Sequence, residues 1–327
     1  MTSTWQDILS TLQSGANLGG EALEWFLVQN HGWRALLNGL MGDTLAARQS
    51  PLAIEMSLKG KIRGDKLCVL VHGLCDSETS WGFTDDPSQN YGRLLQGDLG
   101  YEPLFASYNS GLHISTNGQA LARELDRLLK RKSSKIREIV FIGYSMGGLV
   151  VRSACHYGEQ AGSDWVKLVK KIFLIGVPHL GSDWEKLGHV TSFILKKIPN
   201  PFTWGIAAIG NRRSAGIKDL RFGYLLDEDW KDLDENISWR NNRHSVPFLK
   251  TADHYHITGT VAKNADHFFA RYFGDGLVPM RSAMGNSFIK SQRMEIPPER
   301  VKIFRGLSHR RLIHHPEIYG QIRDWFR

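Results

Sequence analysis

Cysteine is scarce in this sequence: Cys68, Cys75 and Cys155 are the 3 in 327 residues. An odd number without the paired spacing of metal ligands excludes a disulfide framework and argues against a zinc site. The three read as small core or near-core residues. Long apolar runs are missing too. No stretch approaches the roughly 20 residues that cross a bilayer as a helix, and the start, MTSTWQDILS, lacks the basic lead and apolar centre of a signal peptide. The expectation is a cytoplasmic protein. Charge is only modestly unbalanced, at +8, and the basic C-terminal stretch reads as a solvated face. Its cations are not interleaved with aromatics and nothing resembles a nucleic-acid module, so no nucleic-acid partner is expected. Internal repeats and low-complexity linkers are absent.

What is present is alternation. DKLCVLVHGL, YEPLFASYNSG, IVFIGYS, KKIFLIGVPHLGS, HYHITGTV and RVKIFRGLSH each hold a short apolar run that reads as a buried strand. Between them GQALARELDRLLK places Leu121, Leu125, Leu128 and Leu129 on one helical face, and PEIYGQIRDWF opens with a Pro suited to a first helical position. Strands that are apolar throughout, alternating with helices, indicate an α/β protein: a mostly parallel central sheet with helices on both faces. Residues 1–65 read as an N-terminal helical region docked on that core, from WQDILSTL and EALEWFLVQNHGWRALLNGLMG. The core then runs through 66–182. The alternation breaks over 183–250, which reads as an inserted cap, and resumes over 251–327.

The chemistry concentrates at strand ends. In GYSMGGLVVRSA a lone serine, Ser145, stands where an apolar strand turns into a helix of small residues. A serine on so sharp a turn is crowded by the residues two before and two after it, and Gly143 and Gly147 are the residue type that fits. A serine hydroxyl is a weak nucleophile. It needs a base, the base needs an orienting acid, and the tetrahedral intermediate needs amide donors. VLVHGL offers the Leu74 amide just after a strand, and Met146, following the serine, offers a second. Asp275, between two glycines in FGDGLVP, is the favoured acid, with Asp253 and Asp266 as competitors. His309 in GLSHRRLIHHPE is the favoured base, with His314 and His315 as competitors. The order Ser145, Asp275, His309 is that of the α/β-hydrolases. His179 in GVPHLGS follows another strand end and is expected near the site, shaping its loop or touching a leaving group. Phe202 and Trp204, with Phe193, Ile194 and Leu195, either cover an acyl-binding groove or pack the cap onto the sheet. His254 and His256 alternate on one strand without an evident carboxylate partner, so no metal is expected.

Taken together, VLVHGLCDSETSW, SYNSGLHISTNGQAL, GYSMGGLVVRSA, GVPHLGS, RSAGIKDLRFGYLLDEDW, GDGLVPMRSAMG and LSHRRLIHHPEIYGQI resemble the bacterial lipase/esterase-like α/β-hydrolases related to the PGAP1-like group. The resemblance runs from about residue 66 to the end. It implies the α/β-hydrolase fold with an inserted cap, a triad of Ser145, Asp275 and His309, and oxyanion amides from Leu74 and Met146. Tyr144 departs from it, standing where many relatives have His. The expectation is a cofactor-free serine hydrolase that cleaves a small-molecule or lipid-like carboxylic ester through an acyl-enzyme, with weak contact to a membrane surface. The same triad would serve an acyltransferase, an amidase or a thioesterase, and the scaffold could also carry a non-enzymatic binding protein.

Overall fold

The computed structural model describes residues 29–83, 89–132, 136–182, 213–231, 242–262 and 274–327. Among these residues the apolar runs form the strands of one sheet: β1 Ser57–Lys59, β2 Lys66–Val71, β3 Glu102–Ser107, β4 Glu138–Tyr144, β5 Val169–Ile175, β6 Asp253–Thr260 and β7 Val301–Arg305. Their order is β1-β3-β2-β4-β5-β6-β7, and every neighbouring pair is parallel except β1 on β3. Helices α1 His31–Ala47, α2 Tyr91–Leu99, α3 Ile114–Lys132, α4 Met146–Gln160, α5 Ala215–Phe222 and α6 Pro316–Asp324 surround it.

The two-residue period of the strands sorts their side chains onto two faces. From β4, Ile139 and Phe141 join Leu67, Val69 and Val71 of β2 in one core, which α3 and α4 close with Leu121, Leu125, Leu149 and Val151. Val140 and Ile142 point the other way, joining Cys68 and Leu70 in a second core that Tyr91 and Leu95 of α2 and Ile318 and Ile322 of α6 close. Strands buried on both faces have no polar side to show, which is why they read as unbroken apolar runs.

Two departures from the sequence reading are physical. The region 1–65, read as helical, contributes β1, whose Ser57 to Lys59 pair antiparallel with Ser107 to Phe105. A three-residue edge strand is too short to carry a period and is fixed by its partner strand. Helix α2 was not expected either; its YGRLLQGDL holds two glycines, and it is set by the Asn90 side chain accepting from the Arg93 amide and by Gly100 in a left-handed stop. Helix α1 packs through Trp33, Leu37 and Leu40 against Ile217 of α5. The described parts of the segment read as a cap, 213–231 and 242–250, are built into the main core through Leu220, Leu225, Leu226, Val246 and Leu249. Residues 183–212 and 232–241 lie outside the described ones.

Because β2 to β7 are parallel, their carboxyl ends share one edge, where an open α/β sheet presents its ligand crevice. The loops after β2, β4, β5, β6 and β7 carry Leu74, Ser145, His179, Asp275 and His309 respectively. This strand order, with a sharp strand-to-helix turn after β4, is the α/β-hydrolase arrangement. Among the described residues no helix is long and apolar enough to cross a membrane.

Candidate active site

Ser145 links β4 to α4 with φ 52° and ψ −125°, a strained backbone for any side chain. The surroundings hold it there. Its amide donates to the Ile175 carbonyl of β5 at 2.8 Å, and its carbonyl accepts from the Gly148 amide at 3.0 Å. The flanking glycines are required by space. A Cβ on Gly143 would lie 2.6 Å from the Gly148 Cα, and one on Gly147 would lie 2.1 Å from the Val71 carbonyl oxygen.

His309 begins a helical turn after β7, and its ring meets both predicted partners. Nδ1 is 2.7 Å from Asp275 Oδ2, and Nε2 is 2.9 Å from Ser145 Oγ. An ionised carboxylate can only accept, so Nδ1 carries the hydrogen and Nε2 is left to accept from the serine hydroxyl. Asp275 is buried at 1 % exposure. Its other oxygen, Oδ1, accepts from the Leu277 and Val278 amides at 3.0 and 2.8 Å, which fixes the carboxylate and balances its burial. The competitors lie elsewhere. Asp253 opens β6 at the opposite edge and pairs with Arg300 at 2.7 Å, while Asp266 is outside the described residues. His314 bonds the Gly82 carbonyl, and His315 precedes α6 as its cap residue.

Tyr144, noted in the sequence as a departure but given no role, stands against the base. Its ring stacks on His309 with centroids 5.1 Å apart, and its hydroxyl donates to the His309 carbonyl at 3.1 Å. Burial holds that hydroxyl far from ionising, so it stays a donor. The departure from the resembling proteins thus sits against the base. No sequence signal announces this, because the contact joins residues 144 and 309 across the sheet edge.

The loop that carries the first expected oxyanion amide lies against the serine. Gly73 is close enough that a Cβ there would lie 3.1 Å from Ser145 Cβ. The Gly73 carbonyl accepts from the Asp76 amide at 3.3 Å and from buried His72 Nδ1 at 2.9 Å. In a trans peptide the carbonyl and the next N–H point in opposite directions, so anchoring the Gly73 oxygen fixes where the Leu74 N–H points. Among the described residues, neither the Leu74 nor the Met146 amide donates to another group of the chain. His72 is itself held: it stacks on Tyr108 at 4.3 Å, and its carbonyl accepts from the Tyr108 hydroxyl at 2.7 Å. Burial lowers the His72 pKa, keeping the ring a neutral single donor. Replacing His72 by Phe preserves the stack and removes the anchor. If Leu74 supplies an oxyanion donor, kcat on a soluble ester should fall about 10- to 100-fold, below the ~10²–10³ of losing a donor outright, with KM little changed. An unchanged kcat would remove the Gly73–Leu74 peptide from the reaction.

His179 is buried, and its ring bonds Arg152 Nη1 at 3.3 Å and His256 Nδ1 at 3.2 Å. Phe202, Trp204, Phe193, Ile194 and Leu195 lie outside the described residues.

Residues 61–221 match the protein family described as "Putative serine esterase (DUF676)". The match takes in β2, the Leu74 loop and Ser145, and it ends before Asp275 and His309. Among solved structures the chain is similar to the mature lipase BlEst2 of Bacillus licheniformis, at 17% identity over 83% of this chain and 97% of that one, with a TM-score of 0.49. It is also similar to an esterase of Pyrococcus furiosus, at 14% identity over 80% and 83% with a TM-score of 0.45. A thermophilic esterase of Thermogutta terrifontis matches at 15% identity over 85% and 94%, with a TM-score of 0.41. No curated protein sequence matches this one.

Proposed function

We propose that this protein is a serine hydrolase that cleaves carboxylic esters through an acyl-enzyme on Ser145. The observation that carries the reading is the unbroken chain from Asp275 Oδ2 to His309 Nδ1 and from His309 Nε2 to Ser145 Oγ. In this reading His309 takes the Ser145 proton as Oγ attacks the ester carbonyl. Asp275 stabilises the imidazolium, and the Leu74 and Met146 amides receive the oxyanion. His309 then returns the proton to the leaving alcohol, whose departure leaves the acyl group on Ser145. Water attacks that ester by the same path, giving the acid and free serine. No metal or organic cofactor enters these steps. The similarity of residues 61–221 to serine esterases supports the same reaction class, and the narrower likeness to the PGAP1-like group rests on the sequence motifs.

Labelling with a fluorophosphonate tests the nucleophile. A single adduct on the peptide bearing Ser145 is expected, and no adduct on folded protein would favour a binding role. Acyl transfer to added alcohol or amine, exceeding hydrolysis at equal occupancy, would instead make the protein a transferase. The chain-length profile on p-nitrophenyl esters bears on whether Phe202 and Trp204 line an acyl groove.

The weak membrane contact belongs to this proposal, and the exposed apolar side chains support it. The large apolar side chains that are exposed among the described residues are Val261, Phe288 and Ile289, all in chain that follows β6. Phe288, at 88 % exposure, has the Arg281 guanidinium over its ring, and Lys290 follows Ile289. Such a tip suits an anionic lipid surface. Replacing Phe288 and Ile289 by Ser should weaken cosedimentation with anionic vesicles by about thirtyfold, since each exposed side chain offers on the order of 1 kcal/mol, while turnover of a soluble short ester stays unchanged. Equal cosedimentation of the variant would dismiss this face.

A further inference from the structure

Arg152 lies two turns along α4 from Ser145, buried at 6 % exposure. Its Nη2 donates to the Val246 carbonyl at 2.7 Å, its Nη1 donates to His179 Nδ1 at 3.3 Å, and the Phe248 ring lies 5.1 Å from the guanidinium carbon. Its Nε has no hydrogen-bond partner among the described residues. Among the described residues no carboxylate pairs with it. The acid of this neighbourhood, Asp229, spends its oxygens on the Leu225, Leu226 and His244 amides and on the His244 ring. A buried guanidinium without a counter-charge costs several kcal/mol.

The groups around it add donors rather than charge compensation. Because Arg152 donates to His179 Nδ1, the His179 hydrogen sits on Nε2 and is donated to His256 Nδ1 at 3.2 Å. His256 then carries its own hydrogen on Nε2, which is buried and unpartnered. His254 donates from Nε2 to the Leu249 carbonyl at 3.1 Å. The three imidazoles do not converge as metal ligands, since two of them bond each other and no group of three His, Cys, Asp or Glu among the described residues is placed to hold a metal. A second cation, Arg243, reaches in from the return segment, donating to the His179 carbonyl at 3.0 Å and to Gln292 Oε1 at 2.6 Å. Arg152, His179, Arg243, Ser245 and Gln292 line a cavity of about 20 Å³. That is room for one water or one monatomic ion. A water would fill the space and leave the charge standing.

We propose that this cavity is a binding site for one small monovalent anion of the halide class, held against Arg152. The anion supplies the counter-charge that Arg152 lacks among the described residues. It ties together α4, the loop after β5 and the 242–249 segment, the elements that Arg152 and Arg243 already bridge. It stands outside the hydrolytic reaction, so it holds whatever acyl acceptor the protein uses.

The test is thermal unfolding of the full chain in a chloride titration, with sodium gluconate holding the ionic strength constant. A saturable rise in Tm of about 5 °C at a hundredfold excess over Kd is expected. Bromide should reproduce it, and Arg152→Met should abolish it. Equal Tm in chloride and gluconate would overturn the proposal, as would a chloride response that survives in Arg152→Met. Should that variant not fold, anomalous diffraction from wild-type crystals grown in bromide decides: a peak against Arg152 supports the site, and a cavity without one overturns it.

Discussion

Replacing Ser145 by Ala should lower ester turnover by about 10⁵- to 10⁶-fold, to the residue that oxyanion donors and substrate binding sustain alone. The size follows from how the three groups act as one unit. With Oγ gone, His309 has no proton to take and Asp275 no imidazolium to stabilise, so losing one member removes nearly the whole triad contribution. The fold should persist, because the side chain's one hydrogen bond is to His309 Nε2 and the strained backbone is held by the Ile175 carbonyl and the Gly148 amide. The check is kcat/KM on a p-nitrophenyl ester beside Tm for both proteins. Turnover within tenfold of wild type, with Tm unchanged, would place the nucleophile elsewhere and end the acyl-enzyme reading. A large fall in Tm together with lost activity would call for Ser145→Cys, which keeps a nucleophile at the same strained position.

How much of this could be read before the structure follows from the range over which each feature is determined. The strands of the two-faced core were legible because burial on both sides leaves only apolar residues, as in Val69 to Val71 and Ile139 to Ile142. The elbow was legible because Gly143 and Gly147 are demanded by atoms a few residues away in sequence or on the adjacent strand. Asp275 and His309 could be ranked because a parallel sheet sends each loop to the same edge, so chain order alone brings them near Ser145. Tyr144 and His72 were not legible as supports. Each acts through a partner that only tertiary structure supplies, the His309 carbonyl in one case and the orientation of the Gly73 peptide in the other. His179, read as shaping its loop or touching a leaving group, has its ring bonded to Arg152 and His256, partners that its place after β5 does not disclose. Strand-end position fixes which edge a residue occupies but leaves open the side to which its ring turns.

Stability should fall steeply as pH drops from about 6.5 towards 4. His72, His179, His254 and His256 are all buried, and burial is the main cause that lowers each pKa, to about 4 for His254 and about 3 for His256. For His179 and His256 the nearby Arg152 guanidinium pushes the same way. The sign follows from which state takes the proton. Above about 6.5 an imidazole is neutral in both states and its burial carries no pH-dependent cost. Below that value the unfolded chain binds a proton that the folded chain refuses. Each such group then removes about 1.4 kcal/mol per pH unit, until the folded pKa is reached and the loss levels off. Between pH 6.5 and 5, His256 alone accounts for about 2 kcal/mol, and the other three add to the loss in the same direction. Urea unfolding at pH 7.5 and pH 5 measures it, with His256→Gln as the comparison. That variant should be less stable than wild type at pH 7.5, where the His179 contact is lost, and its stability should fall by about 2 kcal/mol less on acidification. An identical pH dependence in the variant would mean that His256 titrates normally in the folded protein, which its burial does not allow.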